Sequence, residues 1–95
     1  MKRIDYAADA TADIADIWDY TEERWGYDQA VKYDAKIEDR IVGVASGRVA
    51  SRSADEIAPE LRRALAGSHV VFFREDEVAV TVVRVLHQRM DVGWV

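Results

Sequence analysis

The sequence predicts an α+β fold in which an N-terminal strand and a two-helix hairpin pack on a small antiparallel β-sheet. Three observations carry this. Two apolar runs, Val70 to Phe73 and Val78 to Leu86, are rich in the β-branched and aromatic residues that suit a pleated, half-buried surface. A polar break of hairpin length, Glu75-Asp76-Glu77, lies between them. Upstream, apolar residues recur at helical spacing in two stretches separated by Trp25-Gly26.

Taken in order, Lys2 to Tyr6 is a short run with Ile4 and Tyr6 at strand spacing, and it supplies the N-terminal strand. Asp9 is placed to cap the first helix, because its carboxylate accepts orphan backbone N–H groups at the head of the alanine-rich turn that follows. Ala10, Ile14, Ile17, Trp18 and Thr21 fall on one stripe of that helix, whereas Asp13, Asp16, Asp19 and Glu23 lie away from it as a solvated acidic face. Gly26 closes the helix in the left-handed C′ position. The second helix starts near Asp28, and Ala30, Tyr33, Ile37, Ile41 and Val44 repeat out to about Ser46. A connection this short sets the two helices antiparallel.

From Gly47 to Glu60 the periodicity stops, and this segment, which holds the only proline, Pro59, is expected to be a long surface loop. Leu61 to Leu65 is a further strand leading through Gly67 into the hairpin. Placing Arg74 opposite Val78 sorts the hairpin side chains into two faces. Val70, Phe72, Val80, Val82 and Leu86, with Arg74, Val78 and Arg84, make the bulkier face, expected to be the core. The other face holds Val71, Phe73, Val83 and Val85, with His69 and His87 diagonally related at one end. Arg74 and Arg84 should pair with acidic side chains of the helices, since a desolvated guanidinium needs a partner.

Composition sets the bounds. Ninety-five residues make one domain, 1–95, and 49% hydrophobic content is enough for one modest core. No apolar stretch approaches the roughly 20 residues of a membrane span. The N-terminus lacks the apolar segment of a signal peptide, so the expected location is the cytoplasm. Zero cysteines remove disulfides, thiolate chemistry and the common structural zinc sites, and no cofactor or metal is expected. The net charge of −5 is uneven: residues 1 to 60 hold 14 acidic and 8 basic side chains, residues 61 to 95 hold 4 and 5. Gripping bare nucleic acid needs a clustered basic excess, and the sequence offers none, so no direct nucleic-acid binding by the chain alone is expected.

A family resemblance rests on particular residues. Asp19-Tyr20-Thr21 with Trp25-Gly26 and Gln29-Ala30, Leu61-Arg62-Arg63, Gly67-Ser68-His69 with Phe72-Phe73-Arg74, then Val83-Arg84-Val85-Leu86-His87 and Met90-Asp91 resemble ParE toxins of the bacterial RelE/ParE superfamily. The match covers nearly the whole chain in order, and the stretch from His87 to Asp91 is its most specific part. The chain departs in its loop, where such sequences usually carry a proline ahead of Gly47-Arg48 and a glycine in place of Glu60. The usual Ser-Pro near Ala8-Asp9 is also missing.

The resemblance implies a type II toxin, inhibiting DNA gyrase or another topoisomerase and neutralised in a hetero-oligomer by a ParD-like antitoxin. The alternatives are a ribosome-dependent mRNA endonuclease of the RelE type, and a degenerate toxin serving only as an antitoxin-binding module. His69 lies where the nuclease branch tends to carry an arginine, and Gln88 where some of its members carry a tyrosine. His87 is thereby left without an obvious catalytic set, and no enzymatic activity is expected. Candidates for contact with a partner or target are Arg62, Arg63, His69, His87, Arg89, Met90, Asp91 and Trp94. Trp18 and Trp25 are the candidates for lining an antitoxin groove.

Overall fold

The computed structural model describes residues 1–89. The elements run β1 (Arg3–Tyr6), α1 (Ala8–Trp25), α2 (Tyr27–Ala45), β2 (Arg52–Ser53), β3 (Arg62–Ala66), β4 (His69–Glu75) and β5 (Ala79–His87). The sheet order is β1-β5-β4-β3-β2, and the two helices cover one face. The sheet is mixed rather than purely antiparallel, because β1 runs parallel to β5 while every other pair is antiparallel. The cause lies in the connection: a helical hairpin, not a tight turn, follows β1 and carries the chain over the sheet.

The expected hairpin register is wrong. Arg74 faces Thr81, not Val78, and the histidines form a direct cross-strand pair rather than a diagonal one. Asp76 sets this by closing the turn, its carboxylate accepting the N–H groups of Val78 and Ala79 at 2.8 and 2.9 Å. Those two amides, Ala79 first, hold the Asp76 carboxyl below its ordinary range. A bulge between Phe72 and Phe73 then leaves Val83 of β5 without a counterpart. An alternation of period two does not survive an extra residue, so the two predicted faces exchange members. Val71, Phe73, Val80, Val82 and Val85 face the helices, meeting Ala10, Ile37, Ile41 and Val44.

Phe72 and Leu86 point to the opposite face, into a second core with Ala54 and Leu61. The segment expected to be a surface loop is therefore a cover for that face. Ala54 and Leu61 are fully buried, and Ile57 and Ala58 pack around them. Short apolar residues without a period carry no sequence signal of such burial. Within this cover Glu60 has φ 62°, a left-handed conformation that disfavours any side chain. The family glycine missing from this position is what the backbone asks for. Glu60→Gly should therefore raise stability by about 0.5–1 kcal/mol, read as the midpoint of urea unfolding. An unchanged midpoint would mean that the lost unfolded-state restriction offsets the relief.

The helix ends also differ from expectation. Ala7, with no side-chain cap, precedes α1, and Asp9 sits inside the first turn, where its charge favours the helix dipole without capping it. Gly26 has φ 92° and ψ 170°, an extended glycine conformation rather than the left-handed helical one. It ends α1 and begins α2 in a single residue: its N–H donates to Glu22 O at 2.9 Å and its carbonyl accepts from Ala30 at 3.1 Å.

Asp13 is not part of a solvated face. After Tyr6 the sheet loses β1, while β5 continues to His87 with an uncovered edge. Asp13 of α1 reaches that edge and accepts the Val85 N–H at 2.9 Å together with Arg84 Nε and Nη2 at 2.7 and 2.9 Å. The expected pairing of Arg84 with a helix carboxylate is thus present. That of Arg74 is not: its hydrogen bond goes to Pro59 O at 3.5 Å. Among the described residues no helix is long and apolar enough to cross a membrane.

Candidate partner-binding site

The ends of β4 and β5 bring both histidines beneath the helical hairpin, with ring centroids 5.4 Å apart and the planes nearly perpendicular. Tyr33 of α2 organises them. Its hydroxyl lies 2.6 Å from His69 Nδ1 and accepts the Ser68 N–H at 2.9 Å. A contact of 2.6 Å suits an O–H donor, whereas the same hydroxyl is 3.4 Å from Ala66 O, so we assign its proton to the imidazole. His69 then carries its own proton on Nε2. His87 is in the same state, because its Nδ1 accepts the Arg89 N–H at 3.2 Å. With both Nδ1 atoms accepting, the pair presents N–H groups rather than the bare nitrogens of a metal site. Among the described residues no group of three or more His, Cys, Asp or Glu is arranged to hold a metal ion.

Burial, and secondarily the neighbouring His87, lowers the His69 pKa below its ordinary value. The unfolded chain thus binds its proton at a higher pH than the folded chain does. Stability from this group is fully present above about pH 6.5, the unfolded value, and is lost as the pH falls toward the lower folded value. Urea midpoints measured from pH 7.5 to 5 should fall on the acid side in the native chain, and less so in His69→Gln. Equal slopes would place the titration elsewhere.

Above the imidazoles is a cleft of about 430 Å³, walled by Asp16, Ile17, Tyr20 and Thr21 of α1, by Trp25 at the hinge, and by Tyr33, Ser68, His69 and His87. Tyr20 and Trp25 are 60% and 69% exposed at its rim, and Tyr27 and Val31 of α2 are exposed as well. Large apolar side chains left together in water mark a contact surface.

The chain from residue 4 to 92 matches the family model described as "ParE toxin of type II toxin-antitoxin system, parDE". It belongs to the ParE toxin family. The ParE1 toxin of Mycobacterium tuberculosis is 46% identical over 84 residues, which is 87% of this chain and 86% of that protein. The ParE1 toxin of Caulobacter vibrioides is 38% identical over 91 residues, 96% of this chain and 94% of its own. A solved structure, "Chromosomal ParDE TA system from P. aeruginosa", overlays with a TM-score of 0.77 across 92% of this chain and 96% of that one, at 19% identity, and so shows a common fold.

In this ParE toxin the candidate residues do not form one site. His69, His87 and Trp25 meet at the cleft. Trp18 does not line the cleft; it is half-buried on α1, its indole N–H donating to Glu22 at 3.3 Å and its ring edge-on to Tyr27. Arg62 and Arg63 lie on β3: Arg62 holds Ser51 Oγ and O at 2.8 and 3.1 Å, and Arg63 pairs with Glu56 at 2.8 Å. Arg89 follows His87 in an exposed turn. Met90, Asp91 and Trp94 lie outside the described residues. Tyr33 was missed as a site residue, although a tyrosine in a stripe otherwise built of Ala30, Ile37 and Ile41 signals a hydroxyl that needs a partner. Tyr20 and Thr21 were legible only through the Asp19-Tyr20-Thr21 resemblance, not as residues of a site.

Proposed function

We propose that this ParE toxin works in the bacterial cytoplasm by binding, stopping growth through DNA gyrase or another topoisomerase, and that a ParD-like antitoxin neutralises it by covering the same surface. The observation that carries this is the exposed aromatic rim of Tyr20 and Trp25 opening into the imidazole-floored cleft. Exposed aromatics around a desolvated pocket are the anchors from which interfaces draw most of their energy. The family match and the structural relative, itself a ParDE system, support the two-component reading.

The test is controlled expression with and without the neighbouring antitoxin gene, following growth and the separate rates of DNA and protein synthesis. Early loss of DNA synthesis, rescued by the antitoxin, is the expected result. Early collapse of protein synthesis would instead assign the Tyr33-His69-His87 cluster a role in RNA cleavage. No growth effect with antitoxin binding intact would leave an interaction module.

A further inference from the structure

The two edges of the sheet are finished differently. On the β1 side Arg3 pairs with Asp5 and Lys2 with Glu75, each at 3.0 Å, and Asp13 caps the part of β5 that β1 leaves bare. Charged edges and covered amides keep other chains from pairing there. On the far side β2 pairs only with Arg62 and Arg63, so the rest of β3 ends the sheet.

Ala54 N–H donates to Leu61 O at 2.7 Å, and Arg52 pairs with Arg63. Bonding direction alternates along an antiparallel strand, so the N–H and C=O of Leu65 also point outward, past the end of β2. The Leu65 side chain is 58% exposed. A groove of about 360 Å³ surrounds this open rung, lined by Arg63, Leu65 and Val70 from the outer face and by Arg40 and Val49 from the helix side, with Arg52 beside them. Among the described residues Arg40 and Arg52 have no carboxylate within ion-pair distance, and the partner of Arg63 is an exposed glutamate.

We infer that the open edge of β3 receives an extended, acidic segment of the antitoxin as an added strand, pairing with the Leu65 backbone and setting carboxylates against Arg40, Arg52 and Arg63. This rests on the antitoxin reading above and locates one part of that partner. The charge decides the chemistry of the occupant: three guanidinium groups concentrate at this groove in a chain whose net charge is −5. A basic strand would be repelled, and a wholly apolar one would cover cations without neutralising them. Strand addition draws affinity from the backbone and specificity from alternate side chains.

The test compares amide exchange in the chain alone and in its complex with the antitoxin encoded beside it. The Leu65 amide should exchange freely in the first and roughly a hundredfold more slowly in the second. Ala64 and Ala66, bonded toward β4, should be slow in both. The double variant Arg40→Glu/Arg52→Glu changes two exposed side chains and should fold normally. It should weaken the complex by roughly tenfold, and by less at high salt. A complex of native affinity with an unprotected Leu65 amide would overturn the edge assignment and leave the antitoxin reading standing. A protected amide with no response to charge reversal would overturn the acidic character of the strand, and no complex at all would remove both readings.

Discussion

Asp13→Ala should lower the stability of the fold by about 2–3 kcal/mol, the range for removing one partner from a partly buried ionic hydrogen bond while also exposing an amide. One carboxylate here serves three donors, two on Arg84 and one on the Val85 backbone, at 2.7 to 2.9 Å. The side chains are only 13% and 22% exposed, so water replaces the lost acceptor poorly. In a domain of this size the change corresponds to roughly a 10–20 °C drop in Tm. Asp13→Asn, which keeps an oxygen toward Val85, should lose less than half as much. A loss below about 1 kcal/mol for the alanine variant would mean that solvent already satisfies this edge, as it does for most surface ion pairs.

Gly67→Ala should cost about as much and should disturb the cleft as well. Gly67 occupies the first position of the two-residue turn between β3 and β4, with φ 61°, where a side chain costs about 1–2 kcal/mol. A methyl group there would also lie 2.8 Å from both Cε1 and the hydroxyl of Tyr33. Either the turn or the tyrosine must move, and the tyrosine is what holds His69. The expected outcome is a destabilisation of about 2–3 kcal/mol together with a His69 titration that shifts back up toward its ordinary value. Combining Gly67→Ala with Tyr33→Ala should cost less than the sum of the two, since the collision disappears. Strict additivity would show that the turn, not the ring, absorbs the strain.

The two helices and strands β1, β3, β4 and β5 are legible in the sequence because helical and strand periodicities are strong in it, whereas β2, in the segment expected to be a loop, is not. The hairpin register is not, because it depends on one carboxylate, Asp76, gathering two amides and on one unpaired residue, Val83. Neither leaves a periodic trace. Asp13 was misread for a related reason. Its place on the helix surface points away from the main stripe, yet an edge strand outlasting its neighbour puts a donor there, and helix periodicity alone carries no record of where β1 stops. The histidines were legible as a pair at one end, whereas the tyrosine that positions them sat in an aliphatic stripe and looked like filling.

The parallel pairing of β1 with β5 bears on how the chain is made. Arg3 sits opposite Ala79 and Tyr6 opposite Val82, so β1 finds its neighbour only after both helices and β2 to β4 have been synthesised. Contacts between residues so far apart in sequence slow folding, because the long loop must close before any pairing offsets its entropy. On a translating ribosome the helical hairpin can form early, but the sheet and the cleft beneath it must wait for β5. A truncated product ending before β5 would hold the helices without the histidine end, and the cleft would come into being only once β5 has paired with β4.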